Sequence, residues 1–161
     1  MKLKYCSILF ALTLFLSACS NEVKPIEHLA EIYSIALDTI MEHDAALSDA
    51  IKYIAIDMSN FDEVGESDKE AILSYFKKKY KVEVMDATFE QLKEQGLYDA
   101  DTLALNGVLL KIEKVDFKAN NEILFEGSKY RSGLGAVGIK LTVHYKDNKW
   151  LFKDVKMIWI S

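Results

Sequence analysis

Apolar residues are spaced for helices in the first half of the chain and for strands in the second. Ile26, Leu29, Ala30, Tyr33, Ala36, Leu37, Ile40 and Met41 recur every three or four residues, which lines one face of a helix. This predicts a helix over 26–46, with Glu27, Glu31, Asp38 and Glu42 on its polar side and Pro25 in the first turn, a position that tolerates its missing N–H. Tyr53 to Met58 is a short apolar run that fits a buried strand; its length leaves a helix open as the alternative. Ser67-Asp68-Lys69-Glu70 matches a capping box and predicts a helix over 68–79, with Ile72, Leu73, Tyr75 and Phe76 on its apolar side. Val82 to Met85 fits a short strand. Thr88-Phe89-Glu90-Gln91 is a second capping-box match, opening a helix over 88–95 that Gly96 ends.

From residue 103 the period falls to two. Val108, Leu110 and Ile112 alternate with polar or solvent-side positions, then Val115 and Phe117 continue on the opposite parity, which predicts a bulge near Lys114. Asn120-Asn121 is a turn, and Ile123 and Phe125 belong to the next strand. Ile139, Leu141, Val143 and Tyr145 alternate with Lys140, Thr142, His144 and Lys146, and Asp147-Asn148 is a hairpin turn of residues that tolerate positive φ. The last strand carries Trp150, Phe152, Val155, Met157 and Trp159, with a parity switch near Asp154. Trp150, Phe152 and Trp159 are expected in the core, as aromatic residues at strand spacing more often are, with a pocket lining as the alternative. Helices first and hairpin-linked strands last predict an α+β domain: N-terminal helices packed on a C-terminal curved antiparallel sheet of about four strands. In element order this resembles the small cystatin-like or nuclear-transport-factor-2-like domains. That likeness implies a sheet curled around a long first helix, and it implies little about function.

The first residues follow another pattern. Lys2 and Lys4 precede the predominantly apolar Ile8 to Leu16, and small residues follow at Ser17 and Ala18. The order is that of a secretory signal, and the run is too short to cross a bilayer core of roughly 30 Å. Leu16-Ser17-Ala18-Cys19 matches the lipobox of bacterial lipoproteins at all four positions. The resemblance implies cleavage before Cys19 and a diacylglycerol on its sulfur. Its acyl chains, of the palmitate kind, number two, which bind a membrane stably where one chain binds only marginally. The expected organisation is a signal peptide over 1–18, a lipidated cysteine and short tether over 19–25, and one domain over 26–161 at the extracytoplasmic face of the cell membrane.

Composition narrows the chemistry. The chain carries a formal net charge of −5, and loss of Lys2 and Lys4 makes it more negative, so bulk electrostatics favour neither nucleic acid nor anionic lipid. Cys6 would leave with the signal and Cys19 would be acylated, which leaves no free thiol and no disulfide. His28, His43 and His144 share no metal-ligand spacing, and no cofactor beyond the lipid is expected. Asn60, Asp62 and Gly65 fit calcium-loop positions, but Val64 and Ala71 stand where ligands are required; Asp57, Asp62, Glu63, Glu66 and Asp68 leave a looser acidic site open. Gly133-Leu134-Gly135-Ala136-Val137-Gly138 fits the dinucleotide fingerprint by letter, yet a strand follows it where the phosphate-binding helix should begin. Ser132 lacks the glycine of a nucleophile elbow, while paired carboxylates in an acidic chain leave hydrolysis open.

Gly127 to Gly138 is the most unusual stretch. It is either a plain glycine-rich connection between strands or a flexible recognition loop that presents Tyr130 and Arg131, with Lys129, Gly133 and Gly135 beside them, to a ligand or protein partner, since tyrosine and arginine anchor many interfaces. The expected role is a non-enzymatic module that binds an envelope protein, peptide or wall component; the alternative is a small-ligand binder or enzyme using the concave face of the sheet.

Overall fold

The computed structural model describes residues 23–161. The expected signal, the lipobox match and Cys19 lie outside the described residues. A short 3-10 turn at Pro25–His28 leads into α1 (Leu29–Glu42); a second 3-10 turn, Ala45–Ser48, precedes β1 (Tyr53–Asp57). Then follow α2 (Glu66–Tyr80), β2 (Glu83–Asp86), α3 (Phe89–Glu94), β3 (Tyr98–Asp99), β4 (Ala104–Phe117), β5 (Glu122–Ser132), β6 (Gly135–Lys146) and β7 (Lys149–Ile160).

The fold is α+β, and helices do precede the meander, but the sheet is mixed and larger than four strands. Its order is β2-β1-β4-β5-β6-β7, with β3 paired to β4. β4 to β7 form the expected antiparallel meander. The two strands between the helices join the same sheet in parallel, β1 against both β2 and β4. Every residue of β1 is buried because helices cover both faces there, which is why YIAI shows no alternation.

On one face α1 contributes Leu29, Ile32, Tyr33, Ala36, Leu37, Ile40 and Met41, and α2 contributes Ile72 and Phe76. These pack against Ile54, Val108, Leu110, Ile112, Phe125, Ile139, Leu141 and Val143 from the strands. On the other face α3 sets Leu92 against Tyr53, Ala55, Leu105 and Leu109, beside the partly buried Tyr130. That second layer covers only the β1–β4 region.

Most of the local signals formed as expected. Thr88 and Gln91 make the reciprocal capping box, Gly96 ends α3 at φ 70°, and Asp147 and Asn148 take φ 53° and 62°. The β4 bulge falls at Glu113, between the pairs Ile112–Gly127 and Lys114–Glu126. The Ser67 capping box does not form. α2 starts earlier, at Glu66, with Gly65 as its cap, and the Gly65 carbonyl accepts from Asp68 and Lys69. α1 ends before residue 46, because Asp44 turns to φ 52°.

Gly127 to Gly138 is not a flexible loop. β5 runs to Ser132 and β6 resumes at Gly135, leaving only Gly133-Leu134 as a tight turn. Its glycines supply room: a Cβ on Gly127 would meet the Ile40 side chain at 2.6 Å and the Lys111 carbonyl at 2.7 Å. A Cβ on Gly138 would meet the Trp159 indole at 2.1 Å.

Replacing Gly127 by Ala should therefore destabilise the fold by about 1–3 kcal/mol through overpacking beneath α1. Gly133→Ala in the turn should stay within about 0.5 kcal/mol. Chemical denaturation of the two variants measures the difference; equal effects would contradict this packing.

Candidate functional site

Lys129 faces inward because it continues the parity of Ile123, Phe125 and Gly127 along β5. Its side chain has no exposed surface. The ammonium donates to the carbonyls of Met41 (2.8 Å), His43 (2.5 Å) and Asp44 (2.8 Å) and to Ser48 Oγ (2.9 Å). A cation at the negative end of α1 thus satisfies carbonyls that the helix leaves unpaired. Arg131 reaches the same segment, donating from Nη1 to the carbonyls of Leu47 (3.1 Å) and Asp49 (2.5 Å). Tyr130 points to the other face, where its hydroxyl donates to the Leu103 carbonyl at 2.8 Å and its ring meets Phe89 edge-on. All three side chains hold the fold together, and Lys129 offers no surface to a partner. Gly133 and Gly135 flank Leu134, which is 92% exposed at the tip of the hairpin. The parity from Ile123 onward was the available signal for Lys129.

The acidic candidates do not converge. Asp57 accepts from the backbone N–H and hydroxyl of Ser59, while Glu66 pairs with Lys69 on α2. Asp62 and Glu63 line an open groove of about 350 Å³ with Tyr33, Asn60, Glu113 and Lys114. Among the described residues no group of three or more His, Cys, Asp or Glu side chains is placed to hold a metal ion. Asp38 is the most engaged carboxylate, accepting from Tyr75 (3.1 Å), Lys79 (2.6 Å) and Tyr80 (2.6 Å). These bonds clamp α1 to α2. Burial alone would lower the Lys79 pKa, but its bonds to Asp38 and Glu42 hold it above the ordinary value.

The residues that sequence reasoning missed lie on β7. Trp150 is in the core beside His28 and Tyr145, as expected. Phe152 and Trp159 are not, and with Val155, Met157, Ile158 and Ile160 they are 38–62% exposed. Among the described residues β7 pairs only with β6, so its outer backbone edge is unpaired. Full burial of such side chains is worth roughly 1.5–3 kcal/mol each, and natural edge strands are rarely left this long and apolar. The strand alternates like a core strand; its exposure comes from the reach of the helices, which the sequence of β7 does not encode. Ile26 and Phe117 are also exposed, and both line a groove with Val23 at the N-terminal end of the domain.

Two buried groups give the fold opposite responses to pH. Burial pushes the Lys129 ammonium down from 10.5 to about 8, against a smaller opposing pull from Asp44. Between those values the unfolded chain binds a proton that the folded chain has shed, so stability rises with pH and is lost as pH falls through 8. Burial, with the charges of Glu63 and Asp62, pushes Tyr33 up from 10.0 to about 12. There the folded chain keeps a proton the unfolded chain has lost, so stability declines as pH rises through 10 to 12. Denaturation at constant ionic strength should show stability climbing from pH 8 to 10 and falling above it. Lys129→Met should flatten the climb and Tyr33→Phe should lessen the fall; an unchanged profile in both variants would refute the assignment.

Comparison with protein-family models, with curated proteins and with solved structures finds no match to this chain.

Proposed function

We propose that the chain is a lipoprotein held by diacylglycerol on Cys19 at the extracytoplasmic face of a bacterial membrane, where its domain acts as a non-enzymatic binding module. The contact surface is the free edge of β7, in place of the Gly127–Gly138 segment. One observation carries the binding reading: among the described residues, β7 is an outer strand with unpaired backbone and six exposed apolar side chains, from Phe152 to Ile160, that no element covers. Exposed apolar surface of this extent marks interaction sites.

The anchor rests on Leu16-Ser17-Ala18-Cys19. Val23 already packs against the core, so the chain from Cys19 to Val23 spans at most about 14 Å. That length holds the N-terminal end of the domain against the membrane, and exposed Ile26 and Phe117 beside Lys24 and Lys118 suit such a surface. Among the described residues no helix is long and apolar enough to cross the membrane. Against the alternative, a ligand site on the sheet, α1 packs Leu29, Ile32, Ala36 and Ile40 onto the centre of one face.

Growth of the native host with labelled palmitate should label the wild-type chain and not Cys19→Ser; an unlabelled wild type refutes the anchor. A photo-crosslinking residue at Met157 should give adducts in intact cells that the same residue at Glu83, on the opposite edge, does not. Equal adducts at both positions would refute β7 as the contact surface.

A further inference from the structure

The outer edge of β7 has a charge pattern that complements its own reverse. Its ladder with β6 skips Lys153 and Ile158, which bulge out and leave a regular stretch from Asp154 to Met157. Two copies of one strand can pair antiparallel about a two-fold axis perpendicular to the sheet, and each residue then faces the one equally far beyond the axis. An axis at Val155 sets Asp154 opposite the second copy's Lys156, and symmetry repeats the pair. Moving the axis one residue either way sets Asp154 against Asp154 or Lys156 against Lys156, and like charges directly opposed are destabilising.

We propose that β7 pairs with β7 of a second copy of this chain in the register centred on Val155, joining two sheets into one. The two-fold keeps faces together. Val155, which opposes the core residue Leu141 of β6, then faces its own copy on the helix-covered face, while Phe152 faces the second copy's Ile158 and Met157 faces its Lys153. The apolar rows that α1 leaves open thus meet at Val155 and between Phe152 and Ile158. The far edge of each sheet, β2, has four residues and carries exposed Glu83 and Asp86. It is a poor template, so pairing closes at two copies. The inference rests on the reading of β7 as the contact surface and names its occupant.

Charge exchange tests the register. Asp154→Lys sets lysines against lysines, and Lys156→Asp sets aspartates against aspartates. In an equimolar mixture of the two variants, one copy of each restores both attractive pairs. Sedimentation of the full chain in mild detergent should give a wild-type dimer, about tenfold weaker association for each variant, and recovery in the mixture. A monomeric wild type, or a mixture no tighter than its components, overturns the proposal. If either variant fails to fold, Val155→Cys in a chain with Cys6→Ser and Cys19→Ser decides it: oxidation should yield a disulfide-linked dimer, while Lys140→Cys on inner β6 should not. Equal yields, or none from Val155→Cys, overturn the proposal. Adducts from Met157 to a different protein, with a monomeric chain, would preserve β7 as a contact surface and remove only the second copy.

Discussion

An α-helix with its side chains is about 10 Å across, and a strand takes about 4.8 Å of sheet width. Two helices side by side therefore cover about four strands. This sheet has six in its main order, and among the described residues only the helices α1 and α2 lie on the face that holds most of the core. The centre of the sheet is well served: Ile54, Leu110, Phe125 and Leu141 all lie beneath helices. β7 falls outside their width except at Trp150, where the start of α1 reaches it through His28. The exposed row on β7 follows from that shortfall.

The same geometry explains the buried cation. α1 must end above the sheet, and its last carbonyls face the interior instead of water. Lys129 supplies donors from below, and Arg131 continues the task for the segment that follows. An isolated buried charge is costly, and four oxygens around one ammonium offset part of that cost. The cost shows as the lowered proton affinity of the group.

Much of the fold was legible where a signal is confined to neighbours in the chain, the Ser67 capping box excepted. The Thr88 box, the Asp147-Asn148 turn, the bulge near Lys114 and the face of α1 depend on local spacing, and each formed. Features that depend on distant elements were not legible. The apolar run of β1 suggested burial but not its parallel partners, which come from opposite sides, 83–86 and 108–111. The glycines of 127–138 suggested freedom, whereas Gly127 and Gly138 each sit under a side chain contributed from elsewhere. Lysine at 129 suggested solvent, and only the parity of its strand argued otherwise. Of the three aromatic residues on β7, the core expectation held for Trp150 alone, because burial there depends on where a helix ends.

The two tryptophans occupy opposite conditions. The Trp150 indole is dry, and its N–H has no hydrogen-bond partner among the described residues. Trp159 lies half in solvent over Gly138, near the far end of the same strand. Their fluorescence should therefore separate into a short-wavelength component, lost only when the core opens, and a longer-wavelength component that shifts when anything settles on the outer strand. The chain thus carries its own pair of optical reporters, one for integrity and one for occupancy.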